Sequence, residues 1–234
     1  MLTRRGPAGF AYGSLSLERT IGAGFDRLTD DARRLFLALG LLPLTTFGPW
    51  TAAALLEDDG ARAGAALSDL AAAALADPVE AEVRYRFHDL TRQYARHRAA
   101  AGYPGDPDEI PRLVYVALLT LLRRAHFRLY DSDFDVVHSG TPAWDAPPGA
   151  LSEVDTDPRA WFRKEHANIR AAVVHCAELG LTDICWDLAL RSKRRHRRPA
   201  ADLALYRAGP PRDRRLRPGP SGAGAGHADG GGDR

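Results

Sequence analysis

Apolar residues in the first third of the chain recur every three or four positions, the spacing that places them on one face of a helix. The first run holds Leu17, Ile21, Phe25 and Leu28. A second run holds Leu35, Phe36, Leu39 and Leu42. Pro43 ends this second helix, because its ring cannot continue the hydrogen-bond ladder. Two further helices are predicted over residues 47–56 and over the alanine-rich residues 61–76.

The period of the pattern changes to two after residue 82, which indicates a half-buried strand. Its inward positions are Val83, Tyr85 and Phe87, and its outward positions are Arg84, Arg86 and His88. A partner strand near residues 76–80, with a turn at residues 80–82, completes a small hairpin. Asp89 is expected to cap the next helix. In that helix Leu90 and Tyr94 are expected to face inward, and Arg92, Arg96 and Arg98 to face water.

The second half of the chain begins with a loop at residues 102–107, rich in glycine and proline. The pattern beyond it predicts a helix over residues 108–130, a long exposed loop over residues 131–157, and two helices over residues 159–179 and 182–190. Trp161, Ile169, Val173, Cys176, Ile184 and Leu188 are the predicted buried residues of these last two helices. Short helix pairs of this kind often begin a helical-repeat array.

These elements predict a mainly α fold class with four parts. A flexible start (residues 1–14) precedes a winged-helix subdomain with a small β-hairpin (residues 15–101). A helical, TPR-like segment (residues 108–190) follows. The last part (residues 191–234) is expected to be a disordered basic tail, since glycine, proline and arginine replace the apolar pattern there.

Composition and charge narrow the class of protein. The chain has 234 residues, 45% hydrophobic and 26% charged, which is ordinary for a globular protein. It has no apolar run long enough to span a membrane. Its two cysteines cannot form a disulfide framework, so a cytoplasmic setting is expected. The net charge of +2 is uneven: residues 191–234 carry 12 basic and 4 acidic side chains, and the remainder is net acidic. DNA binding by the folded part is therefore not expected.

The strand-to-helix junction carries the most informative chemistry. His88 alternates away from Phe87, so its ring should leave the core. Asp89 can hydrogen-bond the first backbone N–H groups of the next helix and hold the turn rigid. A histidine on such a turn can donate a hydrogen bond to a phosphate oxygen. A plain surface histidine beside a helix cap is the alternative interpretation.

Three stretches of the chain resemble NB-ARC regulators of the signal-transduction ATPase class, and most closely the actinobacterial antibiotic-regulatory proteins of the SARP type. The junction reads RYRFHDLTRQYARHRA, similar to the end of their winged-helix subdomain. The stretch LSLERTIGAGFDRLTDDARRLFLALGLLPLTTFGPWTAAALL resembles its opening helices, and DPRAWFRKEHANIRAAVVHCAELGLTDICWDLAL resembles the start of their helical-repeat region. Together they cover about residues 14–190.

The resemblance implies a regulatory role without catalysis. FHDL corresponds to the MHD motif, in which the histidine contacts the phosphates of bound ADP and favours the inactive state. His88 would then be the ADP sensor, Asp89 would orient the turn, and Phe87 stands at the Met position. In an intact parent, ADP or ATP would be the cofactor, and a nucleotide-binding domain of that parent or of a neighbouring protein would be the partner.

The chain contains no G-x-x-x-x-G-K-[ST] sequence and so no P-loop to cradle phosphates. One histidine cannot hold a nucleotide by itself. We therefore expect weak or no ADP binding, and no hydrolysis, from this chain alone.

The resemblance stops near Leu190. Arginine, proline and glycine then dominate, as in a GC-rich gene read out of frame, which suggests a frameshift near codon 190 on a gene fragment lacking its N-terminal half. A genuine basic tail that binds acidic partners is the alternative. The other two reading frames of the gene distinguish these.

Two other functions fit the pattern less well. A stand-alone winged-helix DNA-binding protein would use residues 61–76 as its recognition helix, which offers Arg62 as its basic group. A structural adaptor would bind a protein partner through the helices after Pro111. No metal site is expected: Cys176, near His166 and His175, is predicted to be a buried thiol. The carboxylates Asp131, Asp133 and Asp135 are predicted to be solvated loop acids.

Overall fold

The computed structural model describes residues 18–58, 60–79, 83–130 and 140–192. Residues 18–26 are helical and form α1. The other helices are Asp30–Gly40 (α2), Pro49–Leu56 (α3), Ala61–Ala72 (α4), Asp89–Gly102 (α5), Glu109–Tyr130 (α6), Pro148–Thr156 (α7), Pro158–Glu178 (α8) and Thr182–Ser192 (α9). The strands are Asp77–Pro78 (β1) and Tyr85–Arg86 (β2). The predicted mainly α fold with one small hairpin is confirmed. The predicted flexible start, the turn at residues 80–82 and residues 193–234 of the predicted tail lie outside the described residues.

Aromatic rings form the centre of the first half. Phe36 of α2 lies 5.4 Å from Phe25 and 5.2 Å from Phe87, measured between ring centroids. Phe47 meets Phe87 edge-on at 4.9 Å. Thr29 caps α2 by accepting a hydrogen bond from the Ala32 amide at 3.4 Å.

The helices α2 and α5 approach each other closely at Gly40. A Cβ atom at this position would lie 2.6 Å from the carbonyl carbon of Ala95 and 2.8 Å from the backbone nitrogen of Arg96. Only glycine allows this approach without a backbone shift. Gly40 therefore fixes the end of α2 against the middle of α5.

The hairpin is antiparallel, with Asp77 opposite Arg86 and Pro78 opposite Tyr85. Phe47, between α2 and α3, adds a bridge to its outer side: its amide donates to the Tyr85 carbonyl at 2.9 Å, and the Tyr85 amide donates back at 2.8 Å. The order of these elements, a helix, a bridge, two helices and a hairpin, is that of a winged-helix unit. The hairpin predicted from the sequence periodicity is present.

The predicted inward and outward positions are only partly right. Phe87 is buried and His88 exposed, as predicted. Val83 and Arg84 are reversed: Val83 is 74% exposed and Arg84 is buried. The reason is a buried carboxylate, Glu165, which binds the Arg84 guanidinium. Leu90, predicted to face inward, is exposed, because α5 buries a stripe of small residues instead: Thr91, Ala95 and Ala99.

The second half packs around α6, which contacts α7, α8 and α9. The prediction of a long exposed loop over residues 131–157 is wrong for its last part, because α7 occupies Pro148–Thr156. This helix begins with proline in its first turn and buries only Ala150 and Val154, four residues apart. Trp161, Ile169, Cys176, Ile184 and Leu188 are buried as predicted, and Val173 is half-buried.

The tail boundary predicted at residue 191 is also wrong. Arg191 belongs to α9 and is buried, with its Nε 2.6 Å from Asp187 Oδ1. Arg123 of α6 binds the other oxygen of Asp187 at 2.6 Å. Helix α9 therefore extends beyond its last periodic apolar residue, and a buried ion pair stabilises this extension.

The two predicted folded segments are in contact. Helix α3 packs against α6 and α7, and α3 also donates a hydrogen bond to α8, from Trp50 Nε1 to Glu165 Oε1 at 2.8 Å. The division at residues 102–107 stays a prediction.

Candidate functional site

The fold turns His88 out of the protein at the end of the hairpin. Phe87 is held in the aromatic core by Phe36 and Phe47. His88 follows as the N-cap residue of α5, with extended backbone (φ −64°, ψ 155°), and its side chain is 72% exposed. Because an N-cap residue stands half outside its helix, the imidazole projects from a backbone position fixed on both sides.

Asp77 of β1 holds this imidazole. Its Oδ2 lies 2.6 Å from His88 Nε2, and its side chain is 37% exposed. When the ring is protonated, both nitrogens are donors. Asp77 then engages Nε2 and leaves Nδ1 for a second acceptor. Sequence reasoning missed Asp77, since only the hairpin register, which sets Asp77 opposite Arg86, brings the two residues together.

The sequence predicts that Asp89 caps α5, but this prediction is wrong. His88 is the N-cap, and Asp89 is the first residue inside the helix. Its carboxylate lies in the first turn, where the helix dipole favours negative charge. Among the described residues, no backbone N–H of the turn donates a hydrogen bond to the Asp89 carboxylate. The turn is instead closed by the backbone, with the Arg92 amide donating to the His88 carbonyl at 2.8 Å.

A buried polar network lies behind the hairpin. Glu165 of α8 is fully buried and accepts hydrogen bonds from Arg84, from Trp50 Nε1 at 2.8 Å and from Asn168 Nδ2 at 2.8 Å. Arg84 also donates to Thr46 Oγ1 at 2.7 Å and 3.0 Å. Each polar group in this set has a partner, which is the condition under which a buried ion pair is tolerated.

The same network connects the hairpin to α8. Asn168 receives a hydrogen bond from the Thr45 amide at 3.0 Å and donates to the Thr46 carbonyl at 2.9 Å. Arg84 directly precedes β2 and lies four residues before His88, so the stretch of chain that leads to His88 is anchored to the helical segment. Sequence reasoning missed this connection, because it joins residues more than 80 positions apart.

No cluster of three or more metal-ligating side chains occurs in the part of the chain that the structure describes. Cys176 is buried, as predicted, and burial raises the pKa of its thiol to about 12. The acids Asp131, Asp133 and Asp135 lie outside the described residues. Of the helices described, none is long and apolar enough to cross a membrane.

No protein-family model matches this chain, and neither a curated protein nor a solved structure shows significant similarity to it.

Proposed function

We propose that this chain is the winged-helix and early helical portion of an NB-ARC-type, nucleotide-controlled transcriptional regulator. In that role it catalyses nothing. His88 contacts the phosphates of ADP held by a nucleotide-binding domain, in an intact parent or in a neighbouring protein of the cytoplasm. The observation that carries the proposal is the exposed His88 ring on a fixed turn, with Nε2 on Asp77 and Nδ1 without a partner among the described residues.

Asp77 gives the histidine its direction. With Nε2 on Asp77, Nδ1 is the remaining ring nitrogen, and it donates a hydrogen bond when both ring nitrogens carry a proton. A phosphate oxygen, which carries negative charge, is a suitable acceptor for that donor. The pair Asp77–His88 is therefore the proposed sensor, in place of His88 with Asp89.

The same geometry explains why this chain alone should bind ADP weakly or not at all. High affinity for a phosphate needs several convergent donors, such as the backbone amides of a P-loop. The site offers one imidazole, and the Asp77 carboxylate beside it opposes an anion that approaches without other cations. A partner domain has to supply most of the phosphate contacts.

The buried network supplies a route from the sensor to the helical segment. Arg84 and His88 share one short stretch of chain, and Arg84 is bound to Glu165 of α8. A rotation of the hairpin on nucleotide exchange therefore has to move α8 with it or break the Arg84–Glu165 pair. We propose that it moves α8, because breaking the pair would leave a buried charge without a partner.

The test uses an intact NB-ARC regulator in which residues 18–192 of this chain replace the winged-helix segment and the helices that follow it, so that Arg84 keeps its partner Glu165. Release of a fluorescent ADP analogue is measured for the parent chimera and for the His88→Ala and Asp77→Asn variants. Both variants should release ADP faster, His88→Ala by about tenfold or more because a hydrogen bond to a charged group is lost. His97→Ala, an exposed histidine on α5, is the matched control. Release rates equal to the control would refute the sensor role.

The side-chain contacts of α4 argue against the DNA-binding alternative. Arg62, the basic residue that the sequence offers on this helix, is bound to Asp31 of α2 through two hydrogen bonds, at 2.6 Å and 3.0 Å. A guanidinium paired in this way has to leave a carboxylate before it can meet a DNA phosphate. No specific observation favours the adaptor alternative.

A further inference from the structure

A groove with a volume of about 610 Å³ lies where α5, α8 and the segment after α2 meet. Its apolar lining includes Leu41 and Pro43 from that segment and Val174 from α8. Val174 is 59% exposed, although α8 packs against α6, α7 and α9. A volume in this range suits a small-molecule ligand.

Basic side chains dominate the polar lining. Arg96 comes from α5, and α8 contributes His166, Arg170 and His175. Glu178 is the acidic residue of the lining. Arg96 and Arg170 have no ion-pair partner among the described residues, although acidic side chains pair with arginines at several other places on this protein.

A further arginine adds to this excess of positive charge. Arg92 lies one helical turn before Arg96 and is half-buried, and its Nη1 reaches the Leu42 carbonyl at 3.5 Å. Burial lowers the pKa of the Arg92 guanidinium, Asp89 partly offsets this, and Arg96 lowers it further. A half-buried cation with one weak contact and a like charge beside it is costly.

The walls of the groove are held firmly. Gly40 fixes α2 against Ala95 and Arg96 of α5. On α8, His175 Nδ1 lies 2.7 Å from the hydroxyl oxygen of Tyr115, a buried residue of α6. The basic residues thus project from helices whose positions are set by packing, which favours recognition of a defined ligand.

We infer that this groove binds a small organic anion. Its phosphate or carboxylate head is held by Arg96 and Arg170, and its apolar body lies on Leu41, Pro43 and Val174. The ligand supplies the negative charge that the protein does not. An acidic peptide is the alternative occupant, and the test distinguishes it from a small anion.

The test is a set of titrations of the full chain, labelled with ¹⁵N, followed through the amide signals of Ala167, Ala171 and Val174. Phenyl phosphate and benzoate are the probes, and which of the two binds more tightly identifies the head group. Inorganic phosphate should bind more weakly than phenyl phosphate, and benzyl alcohol should cause no shifts. Arg96→Gln and Arg170→Gln should each weaken binding by about tenfold, the loss expected for one charge-assisted hydrogen bond. Glu178→Gln should strengthen it.

Arg159→Gln is the matched control, because Arg159 is exposed on the same helix about three turns before Arg170. Binding that Arg159→Gln and Arg170→Gln reduce equally would overturn the inference, since it would indicate general attraction by positive charge. Shifts confined to residues outside the groove would overturn it as well. So would binding of an acidic heptapeptide with no response to either small anion.

Discussion

Two acid–base pairs flank the same strand, and they differ in almost everything except charge. Arg84 and Glu165 are buried, with side chains 6% and 0% exposed. His88 and Asp77 are separated from them by a few residues of chain, with side chains 72% and 37% exposed. The first pair is enclosed by Trp50, Thr46 and Asn168, whereas the second leaves a ring nitrogen for another molecule.

The difference in exposure between the two pairs indicates that the buried pair stabilises the fold and that the exposed pair takes part in recognition. Removing one member of a buried pair leaves the other as an uncompensated charge, which costs about 3–5 kcal/mol. An exposed pair contributes about 0–1 kcal/mol, because water solvates both partners when they part. We therefore expect the Arg84 network to stabilise the hairpin. The His88–Asp77 pair is expected to contribute little to stability and to recognise another molecule from the position that the hairpin gives it.

The largest effect should come from Glu165→Ala. We expect the free energy of unfolding to fall by about 3–5 kcal/mol, since Arg84 would stay buried without its carboxylate. Urea denaturation followed by circular dichroism measures this. Glu178→Gln, an exposed acid on the same helix, should change stability by less than about 0.5 kcal/mol.

A double variant sharpens the interpretation of this first result. Arg84→Met combined with Glu165→Leu removes both charges and should recover most of the lost stability. If the double variant is as unstable as Glu165→Ala, the cost lies in packing and hydrogen bonds around α8 rather than in the unpaired cation.

The second effect, also large, concerns Asp187 in the helical segment. Burial alone would raise the pKa of this carboxyl, but hydrogen bonds from Arg123 and Arg191 outweigh burial, and the pKa lies below its ordinary value. Asp187→Asn should reduce the free energy of unfolding by about 3 kcal/mol at pH 7, because two arginines lose the negative charge that they share.

The pH dependence of that loss has a definite sign. A carboxyl with a depressed pKa stabilises the fold fully above its unfolded pKa of about 3.9, and this contribution disappears as the pH falls through the lower folded pKa. The difference in urea midpoint between wild type and Asp187→Asn should therefore be constant from pH 5 to pH 7 and shrink below about pH 4. A difference that grows on acidification would contradict the ion-pair assignment.

The sequence could predict the parts of the fold that depend on neighbouring residues. Leu35, Phe36 and Leu39 are buried as their helical spacing predicts, and Phe87 and His88 alternate as a strand requires. Local periodicity fails at Arg84, whose partner is 81 positions away, and an arginine in a strand otherwise indicates solvent. It also fails at Arg191, where a buried ion pair with Asp187, four positions earlier, lies beyond the last apolar residue of α9.

The candidate site shows the same limit. The exposed imidazole follows from alternation, so His88 could be found in the sequence. Asp77 could not, because its position depends on the register of two-residue strands that carry almost no pattern. Helix α7 was missed because only Ala150 and Val154 mark its buried side, and prolines and a glycine obscure its start.

The smallest effect on stability should belong to the sensor pair itself. His88→Ala and Asp77→Asn should each change the free energy of unfolding by less than about 1 kcal/mol, since both side chains meet water. The same urea experiment measures this beside Glu165→Ala. A loss of 3 kcal/mol or more in either variant would show that the pair holds the hairpin together, and the separation of anchor and sensor would be wrong. Near-zero losses, together with faster ADP release in the chimera, would place the two functions on residues only four positions apart.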